Sequence, residues 1–231
     1  YNPDRVKFLI TQDHEDEIEE GMKLLDELTA YASQFKRQTV PASELVIGLK
    51  CGGSDGFSGI TANPLLGAAS DLLEGVLVRI CETLEWDIFR MLANSFMVSA
   101  DNAHALHPNH PELADAANAP VMGGGVVLKF NASQRYCTDG ASAAIFRKVC
   151  ADAEVKIQTY CNRADIPGGS TLGNISLAHV SVPTADIGLP QLAMHSAYET
   201  AATADAVYLE KAMTAYYGKT LEVTEQGFTL N

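Results

Sequence analysis

A chain of 231 residues with 47% hydrophobic side chains is long enough for one large domain or two small ones, which excludes disorder as its default. The formal net charge of −13 argues against nucleic acid and anionic membrane, both of which need a basic footprint, and leaves a small molecule or a peptide as the expected ligand. No run approaches the roughly 18 apolar residues of a membrane span, no signal-peptide pattern opens the chain, and the expected location is cytoplasmic.

In chain order, "RVKFLIT" alternates as a strand does, and "DHEDEIEEGMKLLDELTAYASQF" follows with Ile18, Met22, Leu25 and Leu28 at helical spacing behind an acidic start. "SELVIGLKC" reads as a strand buried on both faces, and it delivers Cys51 to the loop "GGSDGFSG". From Gly67 the period becomes helical through Leu73, Val76, Leu77, Ile80 and Leu84. "RMLANSFMVSAD" gives a helix end and a strand over 95–100 that stops at Asp101, and the Pro-, Asn- and Gly-rich stretch after it is a loop. "GVVLKFN" is a strand, "GASAAIFRKVCADA" a helix, "KIQTYCNR" a strand and "ADIPGGSTLGNIS" a glycine loop. "TADIGLPQLAMHS" and "YLEKAMTAYYG" continue the alternation, and "TLEVT" closes it. The pattern predicts an α/β fold, a layered sandwich with a mixed or mostly parallel sheet flanked by helices. The cysteines, Cys51, Cys81, Cys137, Cys150 and Cys161, contain no CxxC pair and are expected to be reduced and mostly buried.

Three places offer chemistry. In "KCGGSDGFSGITANP" four glycines allow close backbone approach, and Ser54, Asp55, Ser58, Thr61 and Asn63 offer polar contacts for a hydroxylated ligand, against the alternative of a plain glycine turn. In "SFMVSADNAHALHPNH" an aspartate at a strand end, with Asn102 and His104 behind it, makes a metal or substrate corner, while His107 and His110 read as loop histidines beside prolines. His195 ends the apolar run "QLAMH".

The run "VPASELVIGLKCGGSDGFSGITANPLLGAASDLL" resembles the altronate/galactarate dehydratase family over about residues 8–73, which implies a sugar-acid loop at Cys51, Ser54, Asp55 and Ser58. "SADNAHALHPNHPE", "GGVVLKFNASQRY", "NRADIPGGSTLGNIS" and "DIGLPQLAMHSAYET" occur in the order of the aspartyl aminopeptidase family, self-compartmentalised dinuclear zinc exopeptidases, over roughly residues 67–231. That second resemblance implies zinc ligands at Asp101 and His195, and substrate contacts at His104, Lys129, Tyr136, Gly169, Ser170 and Thr171 within the 168–173 loop. It also implies a peptide substrate with an acidic N-terminal residue and a homo-oligomer. The family's Glu-Glu-Val-Gly segment, source of further ligands and the general base, has no counterpart here; Glu19 and Glu20 lie in the acidic helix. The catalytic base is therefore unassigned and the site is expected to be incomplete.

Together the resemblances imply a chimera-like chain. A dehydratase-like strand-helix-strand-loop segment over 1–66 would meet the C-terminal part of an aminopeptidase-like catalytic domain over 67–231, or the two would merge in one domain with a seam near 64–76. The expected function is that of a metallo-aminopeptidase-like domain. The alternatives are a sugar-acid dehydratase fragment and a noncatalytic scaffold in which one fragment's strands complete the other's sheet.

Overall fold

The structure, a computed structural model, describes residues 2–10, 13–36, 62–166, 168–225 and 227–231, and for 62–66 the backbone alone. The chain divides into two units, Tyr1–Gly48 and Leu49–Asn231. In the first, the acidic segment forms helix α1, Glu17–Ala32. The Asp16 side chain accepts from the Ile18 and Glu19 N–H groups at 3.1 and 2.9 Å, and Glu17, Glu19 and Glu20 fill the first turn, where the helix dipole favours negative charge. The strand expected in "RVKFLIT" does not form among the described residues: 6–10 is irregular, with Phe8 71% and Ile10 62% exposed. An alternating apolar run becomes a strand only where another edge pairs with it. Here side chains hold the segment instead, through Lys7 to Glu27 at 2.6 Å and Arg5 Nε to the Tyr31 hydroxyl at 3.4 Å. The strand expected over "SELVIGLKC" and the loop carrying Cys51, Ser54, Asp55 and Ser58 lie outside the described residues.

Among the described residues of the second unit, α2 (Ala62–Leu84) and α3 (Ile88–Ala93) come first, and β1 (Met97–Ala100) follows. α2 starts at least five residues before the glycine from which its period was read. The long loop after β1 holds a short strand, β2 (Ala103–His104), before β3 (Val126–Phe130), α4 (Gly140–Asp152) and β4 (Ile157–Cys161). The glycine loop contains an unexpected helix, α5 (Leu172–Leu177). β5 (Thr184–Gly188), β6 (Pro190–Leu192), β7 (Thr200–Ala201), α6 (Thr203–Tyr217) and the hairpin β8 (Leu221–Thr224) and β9 (Gly227–Leu230) complete the order.

The main sheet runs β1-β5-β3-β4. β1 pairs parallel with β5 and β3 parallel with β4, while β3 and β5 meet antiparallel, so the sheet is mixed. Strand alternation sorts its two faces. Val126 and Leu128 of β3 and Ala185 and Ile187 of β5 pack with Ala143, Phe146 and Cys150 of α4 and Ala212 of α6. Leu128 and Phe146 are fully buried, and each contributes about 1.5–3 kcal/mol of hydrophobic stabilisation. The opposite face carries Val127, Tyr136, Tyr160 and Ala103. α5 joins that side, where the Gly173 N–H donates to Ser99 Oγ of β1 at 3.2 Å, and α2 contacts α5 through the buried Ser70 and Ser176 hydroxyls, 3.5 Å apart. Helices thus flank both faces of the sheet.

Local chemistry fixes the ends of these elements. Asp139 and Ser142 form a reciprocal capping box at the start of α4. Gly125 has φ +102°, and a Cβ there would strike the Lys156 backbone, so the turn into β3 requires glycine. The fully buried Asp205, in the first turn of α6, accepts from the Gly123 and Gly125 N–H groups at 2.7 and 2.8 Å and pins that turn. Among the described residues the cysteines are free: Cys81, Cys137 and Cys150 are buried and Cys161 half-buried.

Candidate functional site

Asp101 is the first residue beyond β1, and its N–H donates to the Ile187 carbonyl at 2.9 Å, which extends the parallel pairing by one step. Gly188, at the end of β5, lets this happen, because a Cβ there would collide with the Asp101 carbonyl oxygen. The Asp101 side chain, 44% exposed, is left free to face solvent at the C-terminal end of two parallel strands, the edge at which α/β sheets bind ligands.

Lys129 arrives from β3. The alternation that sends Val126 and Leu128 to the α4 side sends Val127 and Lys129 to the other, and Lys129 is only 1% exposed. Its ammonium donates to the Asp101 carbonyl at 2.9 Å, stands 4.0 Å from the Asp101 carboxylate, and lies 5.0 Å from the Tyr136 ring centroid. Tyr136 is itself buried, with its ring 6.2 Å from that of Tyr160. Burial, reinforced by Tyr160, Asp186 and Asp101, drives the Tyr136 hydroxyl far above the ordinary tyrosine range, so it stays protonated.

His104 belongs to β2, which pairs parallel with β6 so that His104 stands beside Gln191. The Asn102 amide donates to Gln191 Oε1, while its own oxygen accepts from the Leu189 N–H at 3.3 Å, locking these strands together. The His104 imidazole is held below the usual histidine value, first by desolvation and then by His195 and Lys129, with Asp101 opposing. Those influences place Asp101, His104, Lys129 and His195 in one electrostatic neighbourhood. His195 reaches it through a sharp turn: Ala193 and His195 have φ +54° and +65°, and the His195 N–H donates to Glu199 Oε1 at 2.6 Å.

A cleft of about 320 Å³ adjoins this corner, lined by His104, His107, His110, Asn162, Gly169 and Gln191 among others. A larger one of about 750 Å³, around Arg135, Asn162 and Arg163, includes none of Asp101, His104, Lys129 or His195, whereas the smaller cleft meets the corner at His104. In the 168–173 loop, Gly168 and Gly169 line the smaller cleft. Ser170 Oγ instead accepts from Asn174 at 3.0 Å, and Thr171 is a buried residue before α5 whose hydroxyl has no partner among the described residues. The His107 and His110 rings lie 5.2 Å apart and tilted to one another, with His110 Nδ1 3.1 Å from Glu112. Sequence reasoning passed over Asn162. Its amide donates to the Tyr160 hydroxyl at 2.9 Å, and its buried oxygen lacks a partner. The available signal was its position, the first polar residue beyond β4.

Asp101 and His195 are of zinc-donor type, yet neither joins any cluster of three potential donors among the described residues. A zinc ion takes three or four protein ligands. The described residues of this corner therefore do not close a zinc shell.

A family model described as aminopeptidase I zinc metalloprotease (M18) matches residues 60–217. A probable M18 family aminopeptidase 2 of Pseudomonas aeruginosa is 45% identical over 152 residues, 65% of this chain and 35% of that protein. One of Clostridium acetobutylicum is 44% identical over 148 residues, 64% of this chain and 34% of that protein. Among solved structures, a chain of the Ape4 and Nbr1 complex superposes at TM-score 0.61 with 38% identity, over 64% of this chain and 29% of that one. The aminopeptidase of Thermotoga maritima superposes at 0.51 with 26% identity, over 71% and 36%. A Saccharomyces relative with TM-score 0.50 and 25% identity is described as a dodecamer, over 55% of this chain and 27% of that one. The chain thus spans about a third of the length of the curated relatives it matches. These similarities give the dehydratase resemblance of residues 8–73 no support, and the family match already begins at residue 60.

Proposed function

The chain belongs to the M18 family of aminopeptidase I zinc metalloproteases, and on that premise we propose that it carries the substrate-facing corner of an enzyme that removes acidic residues from peptide N-termini. The observation that carries this reading is the buried Lys129, whose ammonium is held against the Asp101 carbonyl and acts on His104, a residue that lines the cleft. A cation fixed in a low-dielectric wall is matched to a carboxylate, whether the substrate's side chain or its α-carboxylate. His104 and Tyr136 flank it, the first as a predominantly neutral imidazole and the second as a protonated phenol, so both are available as neutral hydrogen-bonding groups. The backbone of Gly168 and Gly169 gives the cleft a wall without side chains, suited to an extended peptide.

In this reading Asp101 and His195 are two zinc ligands. Two donors do not hold zinc in a catalytic geometry, so the chain is assigned recognition and partial metal ligation. Turnover would require donors and a general base beyond the described residues. Assembly with further copies of itself, as its dodecameric relative assembles, is part of the same proposal. The test is binding of an aspartyl or glutamyl hydroxamate followed by NMR with added zinc, alongside hydrolysis of an aspartyl chromogenic amide. Binding selective for the acidic ligand over the leucyl analogue, and lost in His195→Ala, is expected. Equal affinity for both ligands, or none for either, would overturn the reading. In a chain that still melts cooperatively, that result would make it a noncatalytic scaffold.

A further inference from the structure

We infer that α2 and the turn after α5 form a second divalent metal site, Asp71, Glu74 and His179, built from residues that the aminopeptidase reading does not use. Asp71 and Glu74 are three apart on α2 and so share one helix face. His179 comes from the chain just beyond α5, and its Nδ1 lies 2.6 Å from Asp71 Oδ1. One donor atom from each of the three residues lies within 4.8 Å of the others, the only such cluster among the described residues. Two ligands of one zinc ion stand about 3–4 Å apart. Side-chain rotation alone would therefore open the Asp71–His179 hydrogen bond to ligand spacing and bring Glu74 in.

The backbone on both sides is already fixed. Ser70, next to Asp71, and Ser176, three residues before His179, are both buried with their hydroxyls 3.5 Å apart. The Ser176 carbonyl accepts from the His179 and Val180 N–H groups at 3.1 and 2.7 Å. The donors therefore come from two elements held in register, not from one flexible acidic stretch. Two carboxylates and one imidazole carry the charge of a dication's counter-ligands, and the imidazole nitrogen favours zinc, cobalt or nickel over calcium or magnesium. With the Asp71 side chain 64% and the His179 side chain 30% exposed, water can complete the shell and the ion can enter from solvent. A metal here would cross-link α2 to the helix whose preceding loop lines the cleft.

The test uses the full chain with Asp101→Asn and His195→Gln, which silences the first corner, stripped by a chelator and titrated with zinc against a chromophoric competitor. One equivalent of zinc is expected to bind and to raise Tm. Adding Glu74→Gln or His179→Gln should weaken that equivalent about tenfold or more and abolish the Tm response. Glu74 is an exposed residue, so Glu74→Gln keeps the Asp71–His179 pair and the metal-free melt, and a loss of zinc in it reports ligation and not unfolding. Zinc binding unchanged in both variants, or no binding in the background, would overturn the site and leave Asp71 and His179 as an ion pair only. Neither result depends on peptidase activity.

Discussion

Asp205→Ala should destabilise the second unit by about 3–5 kcal/mol. The carboxylate is fully buried and accepts two backbone N–H groups, from Gly123 and Gly125, at 2.7 and 2.8 Å. A hydrogen bond to a charged acceptor contributes about 1.5–3 kcal/mol, and removing the acceptor loses two of them and strands the buried Gly125 N–H. For a unit of this size the loss corresponds to a Tm drop of roughly 6–20 °C. Asp205→Asn should fall between, at about 2–3 kcal/mol, because its amide oxygen serves one N–H while its NH2 opposes the other. Urea unfolding followed by far-UV circular dichroism, with an unchanged m-value, reads the difference directly. The turn that Asp205 pins feeds the strand carrying Lys129, so acidic-ligand binding should weaken in parallel. A cost below about 1 kcal/mol for Asp205→Ala, or an asparagine variant less stable than the alanine one, would refute the assignment of this carboxylate as the anchor of the turn.

Gly188→Ala should cost about 1–3 kcal/mol of overpacking and displace Asp101, seen as a lower Tm together with weaker zinc affinity; a wild-type melt would contradict the steric account. The folded His104 value lies below the 6.5 of an ordinary histidine, so the unfolded chain takes up the proton first and stability falls as pH drops from about 7 towards 5. His104→Gln should flatten that acidic limb in melts across the range, and His195→Gln should raise the His104 value in an NMR titration; an unaltered slope would count against the coupling. Burial pushes the Cys137 thiol up to about 12, with Asp186 adding to it, and the Cys150 thiol up to about 11. Iodoacetamide at about pH 8 should therefore leave both unmodified in the native chain, and peptide mapping that finds either one alkylated before unfolding would overturn this.

The elements most legible in the sequence were those whose burial is local. β3 shows as a short apolar run, and α4 as an apolar stripe behind an aspartate cap. The antiparallel seam between β3 and β5 was not legible, since strand direction depends on where the intervening chain travels. Residues 6–10 look like a strand because alternation is visible while a pairing partner is not. α5 was hidden because its six residues, Leu172–Leu177, sit among small and polar neighbours and gain their order from packing Gly173 against Ser99. At the candidate site, Asp101 and His195 stand out as candidates by their motifs alone. The cation-π contact of Lys129 and the amide clasp of Asn102 and Gln191 are products of strand register, which residue types do not reveal.

The left-handed backbone at Ala193 and His195 makes their turn a place where foldedness and alignment oppose each other. A non-glycine residue held at positive φ carries about 1–3 kcal/mol of strain. Ala193→Gly would relax that strain while widening the directions in which the His195 ring can point. A screen for thermal tolerance alone would reward that change, and a screen for ligand capture would reject it. This tripeptide is thus a point at which selection for durability and selection for use would pull the same gene in different directions.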